Sequence, residues 1–132
     1  MLAASLSLAP GLMATAGQGP LPIATGTYVQ EGVACADPPF AAEFQYDGRS
    51  LTDPHSTACH DTVLSRHGSL YGLQETCGAE GDGTAIAPFT ERNTYDVLSP
   101  ERIVRTRVTA GRRSAVTFRL CSGPKPDPAS PR

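Results

Sequence analysis

The chain has 132 residues, which fits a single domain that buries only part of its surface, so a covalent cross-link would add usefully to its stability. Its apolar runs are shorter than the roughly 20 residues that a membrane-spanning helix needs, and its four cysteines form no C-x-x-C pair. These features argue against a transmembrane segment, a thioredoxin-like dithiol and a zinc ribbon.

The formal net charge of −2 conceals a segregation of charge along the chain. Residues 17–100 carry eleven acidic and three basic side chains, a sum of −8. Residues 101–121 carry one acidic and six basic side chains, a sum of +5. The basic character of the domain is therefore concentrated in its last part.

The N-terminal stretch MLAASLSLAPGLMATAGQGP predicts a secretory signal peptide at residues 1–16. It has no charged side chain, is rich in Leu and Ala, and contains Ala14-Thr15-Ala16, which fits the small-x-small pattern for cleavage after Ala16. No basic residue precedes the apolar part, and a disordered cytoplasmic N-terminus is the alternative. We expect a periplasmic or secreted protein, in which residues 17–25 form a linker.

Beyond the linker, Gly, Pro and Asp punctuate short stretches rich in Thr, Val, Tyr and Phe, and this spacing is typical of an all-β domain. We predict a small antiparallel sandwich or open barrel of about seven strands, stabilised by disulfides, over residues 26–121. The tail at 122–132 is proline-rich and poor in apolar residues, and is expected to be disordered. The strands, of which the fifth is expected to be broken, are predicted at 26–33, 43–48, 60–66, 69–77, 85–98, 102–109 and 113–121.

Two predicted hairpins have similar loop sequences, Arg66-His67-Gly68 and Thr109-Ala110-Gly111. Each suits a three-residue loop that closes on a glycine at positive φ. Such a loop pairs residues of the same parity, and it would gather five residues of the first hairpin on one partly apolar face, with a cysteine at each open end. These residues are Cys59, Val63, Tyr71, Leu73 and Cys77.

An even number of cysteines in a short exported chain indicates disulfides. With an up-and-down order of strands, Cys59 and Cys77 lie at one end of the sheet, and Cys35 and Cys121 lie at the other. The sequence therefore favours the pairs Cys59 with Cys77 and Cys35 with Cys121 over the two other pairings.

The stretch DPHSTACHD at 53–61 contains weak candidates for metal ligands, His55, His60 and Asp61. Their spacing matches no closed zinc pattern, and a polar turn before a hairpin is the preferred interpretation. A metal-dependent enzyme that uses these three residues is the alternative. Glu80 and Asp82 in the glycine-rich CGAEGDG lack the further ligands of an EF-hand, so a solvated loop is expected there. With oxidised cysteines and no G-x-S-x-G elbow, we expect no enzyme activity and no cofactor.

Arginines dominate the last predicted hairpin. A three-residue loop would place its apolar side chains on one face and four arginines on the other: Arg105, Arg107, Arg113 and Arg119. Like charges directly across a sheet are destabilising by up to about 1 kcal/mol per pair, so such a cluster requires anions nearby. The anions are either internal, from Glu91, Asp96 or Glu101 on neighbouring strands, or belong to a partner.

An anionic partner would be an anionic lipid, a cell-wall polymer or an acidic protein, because arginine's forked donors suit phosphate and carboxylate groups. Nucleic acid is not expected, since export removes the usual encounter and the aromatic residues do not interleave with the arginines. We therefore expect a non-catalytic exported domain that binds an anionic partner through this arginine-rich face. The sequence does not specify an oligomeric state.

The run GTYVQEGVACADPP at 26–39, followed by YDGR at 46–49 and by Cys59, Cys77 and Cys121, resembles a group of small uncharacterised exported proteins of Gram-negative bacteria. This resemblance implies export and a cysteine framework and no particular activity. In size and strand count the chain is also similar to small β-barrel inhibitors of lysozymes or proteases in the periplasm. That likeness implies an alternative function as an enzyme inhibitor. The inhibitor would insert CGAEGDG or the segment from Asp53 to His60 into the cleft of its target enzyme.

Overall fold

A computed structural model describes residues 19–122 of the chain. The predicted signal peptide at 1–16 and nearly all of the predicted tail at 122–132 lie outside the described residues. Among residues 19–122, no helix has the length and apolar character needed to cross a bilayer. The strands are β1 Gly26–Gln30, β2 Glu43–Tyr46, β3 Leu51–Thr52, β4 Ser56–His67, β5 Leu70–Glu80, β6 Ala85–Ser99, β7 Arg102–Thr109 and β8 Arg112–Ser122.

These strands form one antiparallel sheet in the order β3-β2-β1-β8-β7-β6-β5-β4. The sheet is nearly closed and barrel-like, because its two edge strands approach each other. Asp53 forms an isolated antiparallel bridge with Ser56, and the Leu51 N–H of β3 donates to Asp61 Oδ2 of β4 at 2.7 Å. A side chain thus provides part of the closure between β3 and β4.

The predicted all-β antiparallel domain is confirmed, with eight strands in place of about seven. The additional strand is β3, whose two residues are too few to produce an alternating pattern in the sequence. It follows a tight turn in which Asp47 Oδ1 accepts hydrogen bonds from the N–H groups of Arg49 and Ser50, both at 2.8 Å.

The predicted break in the strand at 85–98 is wrong, because β6 is continuous. The strand contains a proline, Pro88, which lies where β6 is paired on one side only, with β5. The register also shifts there, between Cys77 and Ala79 of β5. A proline costs little at such a position because its missing N–H removes no bond from a second neighbour.

The inner side of the barrel holds a continuous apolar core. The largest fully buried side chains include Tyr28, Phe44 and Phe118, whose rings contact one another in series. Leu21 and Ile23 are also fully buried in this core, so the prediction of a linker at 17–25 is wrong for these residues. Two apolar residues separated by a proline are too short a pattern to mark them as core in the sequence.

The connection between β1 and β2 contacts the outer side of the sheet. The Cys35–Cys121 disulfide joins it to β8, and its Val33 carbonyl accepts a hydrogen bond from Arg119 Nη2 at 2.7 Å. Val29 of β1, which alternates with the core residue Tyr28, is fully buried. This part of the sheet is therefore covered on both sides.

Both predicted disulfides, Cys35–Cys121 and Cys59–Cys77, are confirmed. The predicted three-residue loops are wrong, because each hairpin has a two-residue turn. In the first hairpin, β4 and β5 are joined by a turn at Gly68, and a register shift between Val63 and Ser65 then restores the same-parity pairing that a three-residue loop would give. Cys59 consequently lies directly opposite Cys77, although the turn is one residue shorter than predicted.

The second hairpin, between β7 and β8, has no such compensation. Its turn residues Ala110 and Gly111 have φ values of 51° and 75°, the positive values that a type I′ turn requires. The register runs without a shift from Thr109 opposite Arg112 to Arg102 opposite Arg119. Residues of opposite parity are therefore paired, and every side chain of β8 lies on the other side of the sheet from the one predicted.

Candidate functional site

The four arginines predicted to share one face are divided between the two sides of the sheet, so that prediction is wrong. Arg105 is opposite Val116 and Arg107 is opposite Ser114, which places both on the inner side with Phe118. Arg113 and Arg119 alternate with these inner residues of β8 and lie on the outer side. The two-residue turn at Ala110-Gly111 is the physical reason.

Two of these arginines are occupied by structural contacts. Arg119 holds the β1–β2 connection, since its Nη1 lies 3.0 Å from Cys121 Sγ and 3.1 Å from Cys35 Sγ in addition to the bond to Val33. The Arg105 guanidinium carbon lies 4.6 Å from the centroid of the Phe118 ring. Burial, with the charge of Arg107 adding to it, lowers the pKa of Arg105. Neither group is free to meet a partner.

Internal anions account for only part of the positive charge. Arg107 Nη2 lies 3.7 Å from Glu91 Oε2, which is an ion pair longer than a hydrogen bond. Arg102 makes a closer pair with Glu31, at 2.6 Å. Asp96 instead accepts a hydrogen bond from the Ser69 hydroxyl at 2.6 Å.

The end of the β7–β8 hairpin carries two exposed arginines, Arg112 and Arg113, which we call the hairpin-end arginines. Within residues 19–122, neither has a carboxylate within 4.0 Å. Arg112 follows Arg107 diagonally on the inner side, and Arg113 lies opposite Val108, which is 64% exposed. Two unpaired guanidinium groups, one on each side of the sheet, and an exposed apolar residue next to Arg113 therefore lie at the end of the hairpin, which suits an anionic partner.

A second feature is a cavity of about 150 Å³ at the end of the barrel where the β7–β8 hairpin turns. We call it the mouth cavity. Its apolar walls include Leu51, Phe89 and the Cys59–Cys77 disulfide. Its charged groups are Asp53, Glu75, Glu91 and Arg107.

Three carboxylates lie side by side on the inner side of three adjacent strands. Asp61 of β4 is directly opposite Glu75 of β5, which is directly opposite Glu91 of β6. We call these three residues the acidic row. The Glu75 carboxylate is held by Tyr95, whose hydroxyl donates at 2.8 Å, and by the side-chain amide of Asn93.

Asp61 is the most buried member of the acidic row, with 8% of its surface exposed. Its Oδ2 accepts the Leu51 N–H, while its Oδ1 has no hydrogen-bond partner within the described part of the chain. Burial raises the pKa of Asp61 to about 7, and the negative charges of Glu75 and Asp47 act in the same direction. This carboxyl group therefore titrates near neutral pH.

The weak metal candidates His55, His60 and Asp61 are not brought together. Asp61 is on the inner side of β4, so its neighbour His60 lies on the outer side and is exposed. The His55 ring packs edge-on against Phe40, with ring centroids 5.7 Å apart. In the described range, no group of three or more His, Cys, Asp and Glu residues has the geometry to hold a metal ion.

The two segments considered for an inhibitory loop are shorter than predicted. β4 begins at Ser56, within the first segment, and β5 extends to Glu80, within the second. The remaining β5–β6 turn is closed by Asp82 Oδ1, which accepts the Thr84 N–H at 2.9 Å. That hydrogen bond lowers the pKa of Asp82, which acts here as a turn residue.

Comparison with known proteins finds no matching family model, no similar curated protein and no similar solved structure. The resemblance to small exported proteins of Gram-negative bacteria stays a prediction. Inference about function therefore rests on the hairpin-end arginines, the mouth cavity and the acidic row.

Replacing Asp61 with Asn should stabilise the domain at pH 8. The pKa of Asp61 in the folded protein, about 7, is above its ordinary value of 3.8, so the folded state binds the proton more tightly than the unfolded state does. The contribution of Asp61 to stability is therefore greatest at low pH and is lost as the pH rises towards 7. An asparagine keeps the acceptor for Leu51 and can donate to Glu75 without carrying a charge.

We expect urea unfolding of Asp61→Asn at pH 8 to show a gain of more than about 1.4 kcal/mol, the free energy of one pKa unit. The gain should shrink towards zero near pH 4. Glu80→Gln, at the exposed end of β5, is the control and should show no such pH dependence. Equal destabilisation of Asp61→Asn at both pH values would contradict the assignment.

Proposed function

We propose that this chain is an exported, non-catalytic binding domain that holds an anionic partner with the arginines at the end of its β7–β8 hairpin. The supporting observation is that Arg112 and Arg113 are exposed and, among the described residues, have no carboxylate within 4.0 Å. Arg107 lies diagonally beside Arg112 and adds a third guanidinium. Of the four arginines considered from the sequence, Arg113 lies at the hairpin end on the outer side, and Arg107 lies on the inner side beside Arg112.

The proposed absence of catalysis agrees with the state of the cysteines. All four are joined in disulfides, so the chain has no thiolate nucleophile. Two disulfides are typical of oxidising compartments, which supports the proposal of a periplasmic or secreted protein.

The hairpin end favours an anionic lipid surface among the three partner classes. Guanidinium groups bind phosphate oxygens through paired donors, and each arginine near an anionic membrane surface contributes about 1 kcal/mol to binding. Val108 lies opposite Arg113 and is largely exposed, so an apolar side chain accompanies the charges at the tip. A cell-wall polymer and an acidic protein offer the same charge without an apolar layer for this residue.

The test is sedimentation of the protein with vesicles that contain phosphatidylglycerol in phosphatidylcholine, at low salt. Replacing Arg112 and Arg113 together with Gln should weaken binding by about thirtyfold, the equivalent of about 2 kcal/mol. The matched control is the double variant Arg49→Gln with Arg92→Gln, which removes the same charge from exposed positions elsewhere. Equal losses in both variants would mean that only net charge matters, and unchanged binding in the first would exclude the hairpin end.

A further inference from the structure

The β4 strand extends past the point where the barrel is closed. Its contact with β3 ends at Asp61, whose carboxylate accepts the Leu51 N–H at 2.7 Å. The next six residues, 62–67, pair only with β5, and all six are exposed. Among residues 19–122, the backbone of this stretch makes no hydrogen bond to any element other than β5. One row of N–H and C=O groups, about 20 Å long, therefore faces solvent at residues 62–67, and we call it the free edge.

Exposed apolar side chains are concentrated around the free edge. Of the seven large apolar side chains that are exposed in the described part of the chain, four lie on the β4–β5 hairpin or beside it: Val63, Leu64, Leu70 and Leu98. Leu98 belongs to this group because the N–H of the preceding residue, Val97, donates to the Ser69 carbonyl in the hairpin turn at 2.8 Å. Exposed apolar residues beside unpaired backbone groups are typical of a surface that another chain covers.

The free edge lacks the residues that usually keep edge strands from pairing. It contains no lysine, no proline and no carboxylate. Its one guanidinium, that of Arg66, lies over the ring of Tyr71, 5.2 Å from the centroid. The register shift between Val63 and Ser65 leaves Leu64 without a partner on β5 and half exposed. The complement of this edge is therefore an apolar strand with little charge, and the free edge of a second copy is such a strand.

The two edges of the sheet limit how copies of the chain could pair. Head-to-tail pairing would join β4 of one copy to β3 of the next, but β3 has two residues and already lies against β4. Pairing of β4 with β4 across a two-fold axis uses the same surface on both copies and closes at a dimer. With the axis at Leu64, the leucines of the two copies face each other. Arg66 then lies opposite Thr62, which keeps the two guanidinium groups apart.

We propose that this chain forms a two-fold dimer in which the free edges of two copies pair as antiparallel strands. The two sheets then become continuous across the interface, and Leu64 of each copy is covered by the other copy. Arg112 and Arg113 are not part of the free edge, so this proposal and the proposed function can each fail alone.

The test is sedimentation velocity of the full chain over a series of protein concentrations up to about 1 mM, a range in which weak dimers form and dissociate. We expect an equilibrium between monomer and dimer with no larger species. Amide hydrogen exchange at residues 62–67 should slow as the dimer forms. A chain that stays monomeric at the highest concentration, or one that assembles beyond a dimer, would overturn the proposal.

Charge substitutions at Leu64 test the position of the two-fold axis. Leu64→Lys and Leu64→Glu should each weaken the dimer at least about tenfold, because two like charges then lie opposite each other and the contact between leucines is lost. An equimolar mixture of the two variants should dimerise again, since opposite charges then face each other. Leu64 is half exposed, so both variants should fold normally, which circular dichroism can check.

Val108→Lys is the matched control, because it places the same charge on an exposed apolar residue at the opposite end of the barrel. This variant should dimerise as the unmodified chain does. The proposal is wrong if Leu64→Lys dimerises unchanged, if the mixture of the two Leu64 variants stays monomeric, or if Val108→Lys weakens the dimer as much as Leu64→Lys does.

Discussion

Replacing both Cys35 and Cys121 with Ala should lower the free energy of unfolding by about 4–5 kcal/mol. The two residues are 86 positions apart, so the disulfide closes most of the described chain into one loop. In the chain-entropy model, a loop of this length removes about 4.6 kcal/mol of conformational freedom from the unfolded state. A domain of this size has a total stability of about 5–15 kcal/mol, so the variant should be close to unfolding at 37 °C.

Contacts in the folded state add to this effect. Without the disulfide, Arg119 loses both sulfur neighbours, and the β1–β2 connection is held to β8 by fewer bonds, chiefly that to Val33. Cys59→Ala with Cys77→Ala is the matched control, because it opens a loop of only 18 residues, worth about 3 kcal/mol. Guanidinium unfolding of both variants measures the difference, and a larger loss in the control would contradict this account.

The disulfide pairs could be predicted from the sequence because they depend only on which ends of the strands lie together. An up-and-down order of strands places Cys59 with Cys77 whether the turn of the first hairpin has two or three residues. The register shift after Val63 then brings them directly opposite each other. No pattern in the strand sequence indicates this shift. The disulfide pairing was therefore predictable although the length of the turn was not.

The sequence could not predict which side chains of β8 face the inner side of the sheet, because this depends on a single residue in the turn. Asn-Gly or Asp-Gly would have indicated a two-residue type I′ turn, but Ala110 is an unusual residue at a φ of 51°. The three-residue alternative fitted the sequence equally well and reversed the parity of every pair. The division of Arg107 from Arg113 follows from this one residue.

The acidic row was not predicted for a related reason. Asp61, Glu75 and Glu91 are far apart in the sequence, and only the registers of β4 with β5 and of β5 with β6 bring them together. Each looks like an ordinary solvated carboxylate in its own strand. For Glu75 and Glu91, the useful signal would have been their common parity with the core residues Leu73 and Tyr95 of the same strands, which places them on the inner side.

Phe118→Ala should destabilise the domain by about 3–5 kcal/mol, the usual cost of removing a fully buried aromatic ring. Phe118 is 5.0 Å from Phe44 between ring centroids, and the Arg105 guanidinium carbon lies 4.6 Å from the centroid of the Phe118 ring. Truncation leaves a cavity and a partly buried cation without its ring. Phe118→Leu is the control, since it keeps apolar volume and loses only the aromatic contacts, at about 1–2 kcal/mol. Urea unfolding should rank the variants in this order. If Phe118→Ala and Phe118→Leu cost the same, the cavity left by the ring is not the main cause of the destabilisation. If a double-mutant cycle of Phe118→Leu with Arg105→Met shows no coupling, the contact between the Arg105 cation and the ring contributes nothing to the stability of the fold.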